Sequence, residues 1–326
     1  SRLYLKQMCW FGGGLLLMIV SFLFSYRRIE KWAPLIYGVC IALLVAVFFV
    51  GQSVGGATRW LDFGAFTLQP SEPVKLAVIL ILARYFAGHI KPGGMGFREL
   101  VPAVALAGLP FVLVLKQPDL GTAGLIALIA VTMTVFAKIR RRTFVTLVIT
   151  TAVILPLGWF LLEEYQRKRI WMLFFPESDP LGGGYHILQS KIAVGSGMLF
   201  GKGFMQGTQN ILSFLPEQHT DFIFSVLSEE WGFAGSLLLM MLFVLLIAFG
   251  LNIAYACRDD FGTMLAVGIT AMIFWQAVIN IGMVMGLMPV VGMPLPLISY
   301  GGSSIVTSLL GIGILMNISM RRFIKE

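Results

Sequence analysis

From Phe261 to Met320 the chain runs 60 residues without one charged side chain. A helix crossing a bilayer core takes roughly 20 residues, so this stretch is too long for a single span. Its middle, Gly286 to Gly302, carries Pro289, Pro294, Pro296 and four glycines, residues that break helices. Two spans near 262–285 and 303–320, joined by an irregular segment, follow. The composition agrees: 58% of residues are hydrophobic and 12% charged, against about 25% charged in a soluble domain. Too little polar surface exists to cover a water-soluble fold, and the apolar content is too high for disorder. The expected fold is an all-α polytopic membrane protein.

Further apolar runs lie at 8–25, 34–51, 73–88, 100–115, 120–137, 143–162 and 231–256. That makes nine spans in one membrane domain covering 1–326, with no soluble domain left over. The long segment 163–230 is a loop within it, and its mixed polar and apolar stretch 186–200 suggests a short helix lying at the membrane interface. The net charge of +8, from 24 Lys+Arg against 16 Asp+Glu, does not point to nucleic acid, because the cations gather in short loops between spans. Arg27, Arg28, Lys31, Lys91, Arg98, Lys138, Arg140–Arg142, Arg258, Arg321, Arg322 and Lys325 fall in one alternate set of loops. The short loops of the other set carry little beyond Arg59 and Lys116. The cation-rich set is cytoplasmic, which places Glu326 inside, and Ser1 and 163–230 outside. An odd count with an external start predicts a further span upstream, and no signal-peptide n-region is visible. Cys9, Cys40 and Cys257 form no CxxC pattern and read as buried small hydrophobes rather than a disulfide or zinc framework.

Polar residues at membrane depth are costly and invite a functional reading. Glu72 and Lys75 stand three apart in the first turn of the third span, where they can pair on one face. The pair suits either helix packing or a charge relay lining a polar cavity. Asp119, after Pro118, suits an N-cap of the fifth span. Gln276 and Asn280 share a helix face, and an interhelical hydrogen bond is the simplest reading. The 163–230 loop concentrates acids and bases that lipid does not require. In it, Asp221 stands directly before the apolar Phe222-Ile223-Phe224. It suits an N-cap, a general base, or a ligand holding a divalent cation against a phosphate.

No GxxxxGK[ST], no GxGxxG after a strand, no HExxH and no GxSxG occurs, so no nucleotide, haem or flavin is expected. An enzyme on the outer face must receive a pre-activated substrate, and a lipid-carried phosphate ester arrives by lateral diffusion. Lys191, Lys202 and the Arg167–Arg169 cluster suit a diphosphate leaving group. A transferase and a lipid transporter both remain open on these grounds.

Four segments carry a resemblance that narrows this. They are Gln69-Pro70-Ser71-Glu72, Gln117-Pro118-Asp119-Leu120-Gly121-Thr122, the run from Pro216 through Glu217, His219 and Asp221 to Phe224, and the run from Asn280 through Gly286, Gly292 and Ser299 to Ser304. In this order they resemble the motifs of the shape, elongation, division and sporulation (SEDS) family. The segment Gly184–Gly197 with Gly201-Lys202-Gly203 is similar to elongation-type members rather than division-type ones. The resemblance implies ten spans, the first of them missing from this chain. It implies a peptidoglycan glycosyltransferase of the cytoplasmic membrane that polymerises lipid II during cell elongation and maintenance of rod shape, releasing undecaprenyl diphosphate. It also implies a class B penicillin-binding protein as transpeptidase partner, other elongation-complex membrane proteins around it, and a divalent cation, Mg2+ or Mn2+. Asp221 matches the family's essential loop carboxylate, as catalytic group and as the residue for a cation. Glu72 and Lys75 match a polar pair of the cavity, with Arg59, Asp119, Lys191, Lys202, Glu217, His219 and Ser299 around the substrate. A flippase for lipid II, or a scaffold activating the partner, are the rivals. Polar groups gathered on the outer face favour the enzyme over a transport path.

Overall fold

The computed structural model describes residues 2–54, 57–64, 67–90, 93–161, 163–179, 182–208 and 219–321. Nine long helices stand at the nine expected positions among these: α1 (Arg2–Leu23), α2 (Tyr26–Val50), α3 (Ser71–Ala87), α4 (Phe97–Lys116), α5 (Leu120–Phe136), α6 (Arg141–Leu161), α9 (Ile223–Ala256), α10 (Asp260–Val284) and α11 (Gly302–Arg321). Two shorter helices, α7 (Glu164–Phe174) and α8 (Gly183–Ser196), lie in the long loop, so the helix expected near 186–200 is present and begins three residues earlier. Helix is the form in which an apolar segment satisfies its own backbone in lipid. Six of the long helices have both the length and the apolarity to cross a membrane, and α5 is a shorter apolar helix. One feature had no counterpart in the sequence reading. The segment between α2 and α3 forms three short antiparallel strands, β1 (Gln52–Val54), β2 (Ala57–Asp62) and β3 (Thr67–Leu68), in the order β1-β2-β3.

The chain divides into two compact units. The first comprises Ser1–Val148, Ile247–Trp275 and Gly302–Glu326. α3 is its core helix: Val74, Leu76 to Leu80, Leu82, Ala83 and Phe86 are all buried. α1 packs along α11 through small residues. A Cβ added at Gly313 would stand 2.1 Å from Ser21 Oγ, and one at Gly14 would stand 2.6 Å from Leu309 Cδ1, the close backbone approach that small residues allow between membrane helices. Asn317 on α11 satisfies the helix ends opposite it. Its Nδ2 donates to Phe22 O at 2.5 Å and Phe24 O at 2.7 Å, while its Oδ1 accepts from Tyr26 N–H at 3.0 Å. Cys40 is buried and Cys257 half-buried, but Cys9 is exposed on the outward face of α1, contrary to the expectation that all three are buried.

The second unit comprises Ile149–Leu246 and Gln276–Gly301. α9 breaks at Gly232, where φ is 66° and ψ −163°, a conformation that L residues with a side chain avoid. The break lets the 197–203 turn lie against the chain on both sides of it. Glu229 O and Glu230 O accept from the N–H groups of Lys202 and Gly203, each at 3.0 Å, while Phe233 and Ala234 donate to Met198 O and Leu199 O at 2.8 and 3.0 Å. The last two are first-turn donors of the segment after the break, which no intrahelical carbonyl can reach.

Candidate functional site

Asp221 sits half-buried in the turn that precedes α9, and the residues around it hold that turn by its backbone. Three consecutive carbonyls are each taken by a different donor. His219 O accepts from Tyr300 N–H at 2.8 Å, Thr220 O from Ser299 Oγ at 2.5 Å, and Asp221 O from Asn280 Nδ2 at 2.8 Å. Asn280 Nδ2 also donates to Met293 O at 2.6 Å, and Ser299 Oγ accepts from Leu295 N–H at 2.7 Å. The proline- and glycine-rich segment after α10 is therefore the cradle of the 219–221 turn. Gly292, at φ +69°, passes so close that an added Cβ would stand 3.3 Å from Asp221 Oδ2. Gln276 donates to Pro294 O at 3.3 Å. Asn280 thus holds loop carbonyls rather than the neighbouring helix expected, and Gln276 also donates to one, because the broken backbone of the 290s leaves carbonyls that need donors. Asn280 is fully buried and its Oδ1 has no partner.

Other polar residues of the second unit divide into engaged and open groups. Lys191 is exposed on α8, its side chain over Gly286, where an added Cβ would come within 2.2 Å of Lys191 Cε. Ser190 beside it anchors α8 by donating to Val284 O at 2.7 Å. Lys202 is already neutralised: its Nζ lies 2.7 Å from Oε1 of the buried Glu229, with Thr208 bonded to both. Arg167 donates to Trp159 O and Phe160 O at the end of α6, and Lys168 pairs with Asp179 at 3.1 Å. Arg169 lies over the Tyr165 ring at 5.8 Å. Lys202 and the 167–169 cluster, expected to face a diphosphate, thus have protein partners, while Lys191 is exposed and forms no ion pair among the described residues. His219 is exposed, and Glu217 lies outside the described residues. His186, half-buried on α8, has an unpartnered buried Nδ1. Burial pushes its imidazole below the ordinary range, opposed by the Asp179 carboxylate.

In the first unit a second polar set gathers. Glu72 and Lys75, both almost wholly buried, form an ion pair at 2.8 Å, and neither Glu72 Oε2 nor Lys75 Nζ has a further hydrogen bond. Asp119 caps α5, its Oδ1 accepting from Thr122 N–H at 3.1 Å, and it lies 4.0 Å from the Arg59 guanidinium. Arg59 Nε donates to Gln117 O at 3.1 Å and its Nη2 to Pro118 O, so β2 holds the turn before α5. Gln69 ties in α3 and α11, its Nε2 reaching Asp119 at 3.4 Å and its N–H reaching Ser303 Oγ at 3.2 Å. The motifs at 69–72 and 117–122 thus meet. Among the described residues no group of three or more His, Cys, Asp or Glu side chains could cage a metal ion.

A family model described as cell cycle protein, FtsW/RodA/SpoVE, matches residues 1–323. The chain belongs to the FtsW/RodA/SpoVE family. The resemblance carried by four motifs therefore holds over the whole chain, and with its apolar helices this family member is a multi-pass membrane protein. Similar relatives include the peptidoglycan glycosyltransferase MrdB of Escherichia coli K12, 47% identical over 95% of this chain and 83% of its own. Stage V sporulation protein E of Bacillus subtilis is 40% identical over 96% of this chain and 86% of its own. Among solved structures, one reported as the structural coordination of polymerization and crosslinking by a peptidoglycan synthase complex superposes with a TM-score of 0.85. It is 32% identical and covers 100% of this chain and 91% of that one. The Thermus thermophilus rod shape determining protein RodA superposes with a TM-score of 0.73 at 28% identity, over 100% of this chain and 90% of that one.

Proposed function

We propose that this chain is the peptidoglycan glycosyltransferase of a cell-elongation synthase, polymerising lipid II at the outer face of the cytoplasmic membrane with Asp221 as its base. The observation that carries the assignment of Asp221 is the cradle: three donors fix successive carbonyls at 219, 220 and 221, and Gly292 lets the backbone close on the carboxylate. A carboxylate fixed in this way is positioned for proton transfer, where placement within hydrogen-bond reach comes before basicity. Asp221 accepts the proton of the acceptor sugar's 4-hydroxyl as its oxygen bonds to the anomeric carbon of the donor. The bond from that carbon to the phosphate oxygen breaks, and undecaprenyl diphosphate leaves with the electron pair. Exposed Lys191 is the residue we assign to the departing diphosphate, by charge-assisted hydrogen bonding. Arg59 and Asp119 tie β2 to the start of α5, and the Glu72–Lys75 pair closes within the first turn of α3.

Asp221 is the residue that would hold Mg2+ or Mn2+, as a single carboxylate rather than a cage, since no group of three or more ligating side chains stands among the described residues. An ion held there would supply charge neutralisation for the diphosphate. The partner we assign is a class B penicillin-binding protein, supported by the solved synthase complex that couples polymerisation to crosslinking. The long loop 163–230 lies outside and the C-terminus inside, as the loop cations require.

The test is glycan polymerisation from purified lipid II by the chain with its partner, the partner's transpeptidase serine disabled. Asp221→Asn, folded as judged by its melting temperature, is expected to lose at least about 100-fold in rate. Polymer at the wild-type rate from that variant would remove Asp221 from the chemistry.

A further inference from the structure

The turn joining α1 to α2 encloses a cleft of about 550 Å³, lined by Phe24, Arg27, Arg28, Glu30, Lys31 and Arg321 among others. Its lining carries four cations and Glu30, with the Asp259 carboxylate near enough to act on Glu30 as well. The arrangement runs against the helix beside it. Arg27 and Arg28 stand in the first turn of α2, Lys31 follows in the second, and no acid occupies that first turn; Ser25 at the N-cap makes no side-chain capping bond. Helix N-terminal amides are already electropositive and favour acids or anions, so cations stacked on them repel unless an anion joins them. Arg28 and Lys31 are exposed, and among the described residues neither forms an ion pair. Arg321 is held at the lip, its Nη2 donating to Leu23 O at 3.2 Å.

An apolar strip follows on the same helix. Trp32, Leu35 and Val39 descend one face of α2, 60%, 56% and 51% exposed, in helical register with Arg28 and Lys31. A free phosphate has no use for that strip, whereas a lipid uses both halves: its headgroup on the cations, its chains along the helix. Tryptophan at headgroup depth is the usual anchor of such a boundary, and basic pockets between spanning helices suit anionic headgroups.

We propose that this cleft binds the phosphate headgroup of an anionic membrane lipid, with its acyl chains along Trp32, Leu35 and Val39. In the orientation assigned above, the lipid belongs to the inner leaflet. The site is remote in sequence from Asp221 and independent of the glycan chemistry.

Native mass spectrometry and melting temperature of the full chain in detergent test it, titrated with phosphatidylglycerol, phosphatidylcholine and inorganic phosphate. Phosphatidylglycerol is expected to remain bound and to raise the melting temperature, while phosphatidylcholine does neither. Arg28→Gln/Lys31→Gln should weaken phosphatidylglycerol binding about tenfold or more, each juxtamembrane cation contributing on that order, with the lipid-free melting temperature unchanged. Trp32→Ala should weaken the lipid but not inorganic phosphate. Retention of phosphatidylcholine equal to phosphatidylglycerol, or an unchanged affinity in the double variant, would overturn the site. Displacement of the lipid by millimolar inorganic phosphate would instead make it a free-anion site and overturn the lipid assignment.

Discussion

At Glu72 and Lys75 two charges lie 2.8 Å apart with almost no exposure and no further hydrogen bond to Glu72 Oε2 or Lys75 Nζ. Removing one member of a buried pair strands the other, at a cost of about 3–5 kcal/mol, whereas replacing both by groups of similar shape is close to neutral. Glu72→Gln alone should therefore lower the melting temperature sharply, and Glu72→Gln/Lys75→Met should restore most of it. A restored double variant that fails to polymerise would place the pair in substrate handling rather than packing. His186 gives a pH effect. Burial lowers its pKa, so the folded chain binds its proton less readily than the unfolded one. Its contribution to stability is full above the unfolded value near pH 6.5 and is lost as pH falls through the folded value. Melting temperatures measured from pH 7.5 downward should fall in that window for wild type and fall less for His186→Phe. The i, i+3 spacing of Glu72 and Lys75 made their pairing legible in the sequence. The engagement of Lys202 by Glu229 was not, because 27 residues separate them and only the folded turn brings them together.

Among the elements, the turn at 197–203 and the break in α9 depend on each other. A Cβ at Gly201, where φ is +78°, would stand 2.1 Å from Glu230 O. Both the backbone conformation and the space exclude a side chain, and neither obstacle is the far end of a flexible group. Gly201→Ala should destabilise the second unit by several kcal/mol, seen as loss of folded protein on size exclusion or a large drop in melting temperature. Gly195→Ala, where nothing lies within 4 Å of the added carbon, is the matched control. The spanning helices were readable because length and apolarity decide them in lipid. The β1-β2-β3 strands were not, since Thr58, Trp60 and Leu61 are surrounded by glycines and polar residues that read equally as loop. They pair Gln52 with Trp60 and Leu61 with Leu68.

For the molecule as a whole, charge in the short loops decides the sidedness of the membrane, and that too can be measured. In a chain with its three cysteines replaced, a single cysteine at His219 should react with an impermeant thiol reagent from outside intact cells. One at Arg140 should react only after the membrane is opened. The reverse pattern would invert the topology and move the Asp221 turn to the cytoplasm. The sequence order of the motifs was plain, but their gathering was only partly so. Gln69 reaches Asp119 across 50 residues and Arg59 reaches Gln117 across 58, through packing that no local pattern encodes. The cradle at 219–221 also sets what can vary in this chain. It grips carbonyl oxygens, which every residue possesses, so what holds the Asp221 carboxylate in place is the set of donors at 280, 299 and 300. Change at Asn280 or Ser299, which look like bystanders, would move it.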